Sequence, residues 1–204
     1  MSEEQSKQGR AERKKDKMRQ RIITIALELF HKQGFDATTM EQIAEEVDIA
    51  KKTLYNYFSV KEAIISAYVQ GIIQDVKMNV DEFLPSFPDI RSSALAMFQK
   101  AAQMYEADPE IWRVYVAYRI RNKLNLTKDM ELRSGLEALF QEMLLQGQKA
   151  GQIRKDISAK ELARHLEMNY SMSLMAWLAD PEHSSMGDSL ARCIDLFLDG
   201  AKAR

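Results

Sequence analysis

The sequence predicts an all-α protein of about nine helices. Hydrophobic residues make up 46% of the 204 positions and charged residues 29%, which is the composition of a globular protein rather than of a disordered tail. Only 8 glycines and 4 prolines interrupt the chain, too few turn-forming residues for a sandwich or barrel of many short strands. Helical periodicity recurs along the chain, whereas no stretch shows the alternating pattern of a strand.

Two helices precede a tight turn in the N-terminal part of the chain. Residues 18–33 carry apolar side chains at helical spacing, and Gly34 is placed to end that helix in the left-handed conformation. Thr39 caps a second helix, with Gln42 three residues later as its capping-box partner. The apolar face of this short helix ends just before Asp48, which predicts a tight turn there.

Two further helices follow this turn. A short third helix covers residues 51–58, where Leu54 and Phe58 form an apolar anchor at i, i+4. A capping box of Ser59 and Glu62 opens a long fourth helix, which continues to about residue 76. A helix, a short helix, a tight turn and a second short helix within about 45 residues are typical of a three-helix helix-turn-helix domain.

The second half of the chain is predicted to be helical throughout. The proline-rich segment 84–88 breaks the fourth helix and predicts a linker. Asp108 followed by Pro109 marks a helix start, because proline is favoured at the first helical position. Helices are expected at about 90–107, 109–123, 128–149, 159–179 and 185–202. We expect two domains, residues 1–64 and 65–204.

Several function classes are disfavoured by composition. Cys193 is the only cysteine, which excludes an internal disulfide and a cysteine-rich zinc site and fits a reducing cytoplasm. No apolar run approaches the ~20 residues of a membrane span, and the charged N-terminus is unlike a signal peptide. An enzyme is disfavoured because the chain lacks a glycine-rich phosphate loop and the HExxH spacing of a metal site. We therefore expect a cytoplasmic protein without a cofactor or metal.

Basic residues are concentrated at the N-terminus. The first 21 residues hold eight lysines and arginines against four acidic residues. Residues 1–61 carry a net charge of +2 and residues 62–204 a net charge of −3, which together give the net charge of −1. A basic arm on a nearly neutral protein is a candidate contact for phosphate, although a solvated tail has the same composition.

The third helix carries the side chains expected of a DNA-reading helix. Its polar, basic and aromatic residues are Lys51, Lys52, Thr53, Tyr55, Asn56 and Tyr57. Lysine attracts phosphate or reaches guanine, and tyrosine combines a hydroxyl for phosphate with a ring for the thymine methyl. Lys61 follows at the start of the fourth helix, where the amide dipole and the ammonium together favour an anion. Packing is the alternative for Tyr57, and a solvated face for Lys51 and Lys52.

Two stretches of the chain resemble a known family. They are the run IALELFHKQGFDATTMEQIA at residues 25–44 and the run LYNYF at residues 54–58, which Lys61 and Glu62 follow. Over about residues 20–66 the chain resembles the TetR family. The resemblance implies a homodimeric transcription factor with an N-terminal DNA-binding domain and a C-terminal ligand-sensing and dimerisation domain. Such proteins are usually repressors that a small ligand releases from DNA.

The resemblance implies DNA contacts for seven side chains. Thr39 is expected at a phosphate, Lys51 and Lys52 at bases or backbone, Thr53 at the backbone, Tyr55 at bases or phosphate, and Tyr57 and Lys61 as a clamp on the strand. Two positions depart from the family pattern. The usual turn glycine is Asp48, which tolerates the left-handed conformation. The usual serine or threonine is Ala50, which cannot cap the third helix, at a cost of ~1 kcal/mol, and lacks a hydroxyl for phosphate.

Methionine and aromatic residues are concentrated in the predicted C-terminal domain. Flexible thioethers and aromatic rings together line adaptable pockets, although ordinary core packing gives the same pattern. The candidates for lining a pocket for a small hydrophobic ligand are Met97, Met104, Tyr105, Trp112, Tyr115, Met168 and Met172, with Arg119 as a polar group that orients it.

The last two predicted helices are candidates for the dimer interface. The penultimate helix is apolar on two sides and has to bury both. The resemblance implies that these two helices pair with their copies in a four-helix bundle. The predicted interface residues are Leu166, Tyr170, Leu174, Trp177, Leu190, Ile194 and Phe197. Twofold pairing of this kind places two reading helices about 34 Å apart, one turn of DNA.

The sequence therefore predicts a ligand-responsive, DNA-binding transcriptional regulator. Its expected partners are a palindromic operator in double-stranded DNA, a small-molecule effector and a second copy of the chain, with no membrane. Repression is the expected mode of regulation. The alternative is a helical protein–protein module whose basic arm serves an acidic partner. A preference for specific duplex DNA over a polyanion such as heparin distinguishes the two.

Overall fold

A computed structural model describes the backbone of residues 2–125 and 134–201, and the side chains of residues 12–125 and 134–200. Within these ranges the chain forms ten α-helices, one 3₁₀ turn and no β-strand, which confirms the all-α prediction. The helices are α1 (Ser2–Gln33), α2 (Met40–Val47), α3 (Lys51–Tyr57), α4 (Lys61–Met78), α5 (Val80–Phe83), α6 (Ile90–Ala107), α7 (Pro109–Asn122), α8 (Leu136–Lys149), α9 (Ala159–Ala179) and α10 (Met186–Ala201).

Helix α1 is longer than the sequence predicts. It begins at Ser2 rather than near Met18, so the basic segment continues the helix. Residues 2–17 lack the apolar periodicity that indicates a packed helix, but they contain no proline that would prevent one. Gly34 ends α1 in the left-handed conformation with φ 88°, and its N–H donates to the Phe30 carbonyl at 2.9 Å, as expected.

Backbone contacts divide the chain into two compact units, one ending at Tyr68 and the other beginning at Val69. This division falls within α4, four residues beyond the predicted boundary. The core of the first unit is formed by apolar residues that the periodicity indicates, namely Ile22, Ala26, Phe30, Ile43, Val47, Leu54, Phe58, Ile64 and Ile65. The three helices α1, α2 and α3 are therefore held together by one small core, with the outer face of α3 left at the surface.

The second unit is a helical bundle. Helix α6 packs against α10, and α9 packs against both α8 and α10. The predicted linker 84–88 is not an open linker, because it forms a 3₁₀ turn at Leu84–Ser86 and the Leu84 side chain is buried. Asp108 caps α7 as predicted, accepting from the Ile111 N–H at 3.2 Å. Residues 128–133 of the predicted helix 128–149 lie outside the described residues, and α8 begins at Leu136.

The predicted dimer-interface residues are buried inside the single chain, which corrects that prediction. Leu166, Tyr170, Leu174, Trp177, Leu190, Ile194 and Phe197 are each at most 9% exposed. Helices α9 and α10 bury these stripes against each other and against α6 and α8, so the side chains expose little surface to a second copy. The large apolar side chains that these two helices leave exposed, among the described residues, are Met168, Met172 and Leu196, which are 68%, 60% and 77% exposed.

Candidate nucleic-acid interface and ligand cavities

The start of α2 is fixed by the predicted capping box. The Gln42 N–H donates to the Thr39 hydroxyl at 3.2 Å, and the Thr39 N–H donates to the Gln42 side-chain oxygen at 2.9 Å. The Gln33 amide from the end of α1 also donates to that oxygen, at 3.2 Å. Thr39 is exposed, so its predicted phosphate contact lies at an accessible, capped helix end.

The turn between α2 and α3 depends on Asp48. Its backbone adopts the left-handed conformation with φ 60° and ψ 50°, and it is the only non-glycine residue with positive φ in the described part of the chain. The Asp48 N–H donates to the Glu45 carbonyl at 3.0 Å, which closes α2. The expected tolerance of aspartate for this conformation is confirmed. Ala50 then occupies the N-cap of α3 without a side-chain hydrogen bond, also as expected.

Asp48→Gly is expected to raise the free energy of unfolding by about 0.5–1 kcal/mol. The left-handed conformation is strained for any residue with a Cβ atom, whereas glycine adopts it freely. Urea denaturation measures the change. The matched control is Glu45→Gly, which places glycine inside helical backbone and lowers stability by about 0.5–1 kcal/mol. A loss of stability for Asp48→Gly contradicts the prediction and gives the aspartate side chain a stabilising role.

The surface of α3 is divided between exposed and packed residues. Lys51, Lys52 and Tyr55 are exposed, and the Tyr55 side chain is 42% accessible. Thr53 and Tyr57 are half-buried. The helix therefore presents two lysines and one tyrosine outward, the chemistry that reads duplex DNA, whereas Tyr57 combines packing with partial access.

Lys51 forms an ion pair with Glu41 of α2, a partner that the sequence reasoning missed. The ammonium also lies 6.0 Å from the centroid of the Tyr55 ring. The hydrogen bond to Lys51 holds the pKa of Glu41 below its usual value, and the same bond raises the pKa of Lys51. Both side chains are more than half exposed, so the pair adds little stability. A phosphate that binds Lys51 would replace Glu41 as the anionic partner of the ammonium.

The Lys61 ammonium forms hydrogen bonds within the first unit. Its ammonium donates to the backbone carbonyls of Phe35 at 2.5 Å, Thr38 at 2.7 Å and Asp36 at 3.3 Å, and lies 4.3 Å from the centroid of the Phe35 ring. An ammonium has three donors, and all three face this loop between α1 and α2. In this structure Lys61 holds the loop in place, and its contact with a DNA strand stays a prediction.

The second unit contains two adjoining cavities. The first, of about 340 Å³, lies among α4, α5, α6 and α8, and the second, of about 320 Å³, lies among α4, α7 and α9. Their common wall consists of Ile73, Tyr105, Trp112, Leu136 and Tyr170. All the predicted pocket residues border this space. Met97 and Met104 line the first cavity, Tyr105 and Trp112 both, and Tyr115, Arg119, Met168 and Met172 the second.

The contribution of α4 to these cavities was not predicted. Val69 lines the second cavity, Ile72 and Val76 line the first, and Ile73 lines both. Periodicity identifies an apolar face on α4, but it does not distinguish a face covered by core side chains from one that borders a cavity. Phe140 of α8 was missed for the same reason.

The wall between the cavities is aromatic and hydrogen-bonded. The Tyr105 and Tyr170 hydroxyl oxygens are 2.7 Å apart, and the Trp112 ring stacks edge-on against Tyr105 with a centroid distance of 4.4 Å. The Trp112 indole N–H donates to the Met104 carbonyl at 3.2 Å. Burial raises the pKa of both tyrosine hydroxyls, so they remain neutral donors at physiological pH.

Within the part of the chain that the structure describes, no helix is long and apolar enough to cross a membrane. The same residues contain no group of three or more histidine, cysteine, aspartate or glutamate side chains arranged to hold a metal ion. Cys193 is buried on α10, and burial raises the pKa of its thiol. Apolar side chains make up most of the lining of both cavities.

Sequence comparisons support the interpretation of the first unit. The family model described as "Bacterial regulatory proteins, tetR family" matches residues 22–68, which include α2, the Asp48 turn and α3. The chain is also similar to the HTH-type transcriptional repressor KstR2 of Rhodococcus jostii (strain RHA1). The two are 27% identical over 186 residues, which cover 89% of this chain and 90% of that protein.

Two solved structures share the fold. FadR of Thermus thermophilus, a TetR-family transcriptional repressor in complex with lauroyl-CoA, has a TM-score of 0.79 and 24% identity, and the match covers 91% of this chain and 96% of that one. FadR of Bacillus subtilis in complex with stearoyl-CoA has a TM-score of 0.68 and 17% identity, with 89% and 98% covered. The family match, the relative and the shared fold all indicate a DNA-binding regulator rather than an enzyme. Residues 22–68 therefore match the DNA-binding domain of the TetR family of bacterial transcriptional regulators.

Proposed function

We propose that this regulator is a homodimeric repressor that leaves a palindromic operator when a fatty acyl compound fills the two cavities. The observation that carries the proposal is the pair of adjoining apolar cavities bordered by α4. Residues up to Tyr68 read DNA in this proposal, and residues from Val69 onward sense the effector and dimerise. The chain is cytoplasmic, where both the operator and acyl compounds are found.

DNA binding is assigned to the exposed faces of α3 and α1. Lys52 and Tyr55 lie outward on α3 and reach base edges and phosphates. Lys51 and Thr53 flank them, with Thr39 at the start of α2. Arg13, Lys17 and Arg21 are exposed at i, i+4 and i+8 on one face of α1, which provides further positive charge for phosphate.

Dimerisation is assigned to the exposed faces of α9 and α10. Met168, Met172 and Leu196 are large apolar side chains left in water by the single chain. Exposed apolar side chains on neighbouring helices mark a surface that a partner covers. A twofold pairing buries the same patch on both copies, and this symmetry is matched by a palindromic DNA site.

The effector is assigned from the lining of the cavities. Each volume is at the lower end of the 300–1,000 Å³ range of ligand sites, and the two cavities adjoin at a shared wall. Aliphatic and aromatic side chains predominate, which suits a hydrocarbon chain. The two FadR structures hold lauroyl-CoA and stearoyl-CoA, so a fatty acyl compound is the class we propose for this chain.

Release from DNA is assigned to α4. Its first residue, Lys61, holds the loop before α2, and its later residues Val69, Ile72 and Ile73 border the cavities. An effector that displaces these later residues favours a position of α4 with a different arrangement at Lys61. The ligand shifts the population toward that state only as far as it binds it more tightly.

Fluorescence anisotropy tests the proposal with a labelled palindromic duplex selected by the protein from a random pool. We expect two chains per duplex, a preference for this duplex over heparin, and release by lauroyl-CoA but not by free coenzyme A. The affinity for DNA should fall as the salt concentration rises. The slope of log affinity against log salt concentration should be about −0.9 for each phosphate contacted. Equal competition by heparin supports the helical protein–protein module instead. Retention of the duplex at saturating lauroyl-CoA rejects the acyl effector.

A further inference from the structure

Two buried tyrosine hydroxyls between the cavities share a single hydrogen bond among the described residues. Tyr105 on α6 and Tyr170 on α9 are 6% and 3% exposed, and both side chains line both cavities. Their hydroxyl oxygens lie 2.7 Å apart. Among the described residues, this is the one hydrogen bond that either hydroxyl makes. The pair is therefore a polar spot within otherwise apolar walls.

Two hydroxyls carry two hydrogens, and the contact uses one of them. Whichever tyrosine donates, the hydrogen of the other has no acceptor in the described part of the protein. A buried donor without an acceptor is unfavourable, and native proteins rarely contain one without water or a ligand beside it. The pair therefore favours a ligand that places an acceptor oxygen at the junction of the two cavities.

The acceptor that fits best is a neutral carbonyl oxygen. A carboxylate would bring a negative charge into a buried site where two neutral hydroxyls face it without a cation, which is costly. A carbonyl oxygen carries no charge and accepts one hydrogen bond without desolvating an ion. An acyl thioester supplies such an oxygen between a hydrocarbon chain and a polar remainder.

Charged side chains are present in the lining of both cavities. The first cavity is bordered by Asp75 and Lys100, whose opposite charges offset each other. The second is bordered by Arg119 on the last turn of α7, by Lys123 directly after that helix and by Glu167 on α9, which leaves an excess of positive charge. An anionic end therefore favours the second cavity, and the hydrocarbon chain the first.

We propose that the Tyr105–Tyr170 pair donates a hydrogen bond to the carbonyl oxygen of an acyl thioester. The acyl chain fills the first cavity, and the anionic end extends through the second toward Arg119 and Lys123. This inference rests on the proposed function, because it specifies how an acyl effector is held. It makes the tyrosine pair a specificity determinant that separates thioesters from compounds with the same chain but no carbonyl.

Isothermal titration calorimetry with two ligands tests the assignment. Lauroyl-CoA carries the carbonyl, and S-dodecyl-CoA has the same chain length and anionic end but a methylene in its place. We expect the native chain to bind lauroyl-CoA about fivefold to tenfold more tightly, the effect of one net hydrogen bond. The Tyr105→Phe/Tyr170→Phe variant should bind both ligands equally. The control is Tyr118→Phe, a buried tyrosine outside both cavities, which should keep the preference.

Each alternative result has a separate meaning. Equal binding of the two ligands by the native chain overturns the inference. This result needs no variant, so it holds even where the double variant fails to fold. It is the result expected when an ordered water accepts the remaining hydroxyl hydrogen of the pair. A preference that persists in the folded double variant also overturns it, because the carbonyl is then bound elsewhere. Failure of the native chain to bind either ligand rejects the acyl effector of the proposed function itself.

The direction of the ligand is tested in the same assay. Lys123→Gln should weaken lauroyl-CoA binding, because it removes a positive charge from the lining of the second cavity. Lys100→Gln is the matched change at a lysine of the first cavity and should weaken the binding less than Lys123→Gln does. A larger loss for Lys100→Gln reverses the proposed orientation.

Discussion

Lys61→Ala is expected to lower the free energy of unfolding by about 2 kcal/mol. The substitution removes the ammonium that donates to the carbonyls of Phe35, Asp36 and Thr38, and charge-assisted hydrogen bonds of this kind contribute about 1.5–3 kcal/mol. The loop between α1 and α2 loses its anchor, so operator affinity falls as well. Urea denaturation followed by circular dichroism measures the stability, and fluorescence anisotropy measures the DNA binding.

Lys52→Ala is the matched control for Lys61→Ala. Lys52 is exposed on α3, so its removal should leave stability unchanged and weaken DNA binding through the loss of a phosphate or base contact. The two variants therefore distinguish a structural role, which we expect for Lys61, from direct contact with DNA, which we expect for Lys52. If Lys61→Ala leaves stability unchanged and lowers only the operator affinity, the Lys61 ammonium acts mainly on phosphate and the loop is held by other contacts.

Leu196→Arg is expected to convert the proposed dimer into monomers. Leu196 is 77% exposed on α10, and a charge at the centre of an apolar interface is costly to bury. Operator affinity should fall by a factor of about 100 or more, because two linked reading surfaces bind far more tightly than one. Sedimentation velocity measures the change from the mass of two chains to that of one.

Met78→Arg is the control for the dimer prediction. Met78 is a 65% exposed apolar residue at the end of α4, so the same substitution there should leave the chain dimeric. A native chain that sediments as a monomer contradicts the dimer itself. A Leu196→Arg variant that remains dimeric and fully active on DNA places the interface on another surface.

Local structure in the first unit was predictable from the sequence because its signals are local. The capping box of Thr39 and Gln42 involves residues three apart, and the left-handed turn depends on the intrinsic tolerance of Asp48. The exposed and buried positions of α3 follow from the spacing of Leu54 and Phe58. Each of these features is decided within one or two helical turns.

Partners distant in sequence were missed. The carbonyls that bind Lys61 lie 23 to 26 residues before it, and no pattern in the sequence connects them. Glu41, the partner of Lys51, belongs to the preceding helix. The N-terminal half of α1 was missed for another reason, because an exposed polar helix has no apolar stripe by which to detect it.

By itself, the sequence determined the all-α fold, the helix-turn-helix and the apolar faces of α9 and α10. Periodicity is a property of one helix, so it shows which face is buried. It does not show what covers that face. Only the tertiary structure decided that Leu166 and Ile194 pack within the chain and that Leu196 remains exposed. It alone also brought Tyr105 and Tyr170, from two separate helices, together at the junction of two cavities.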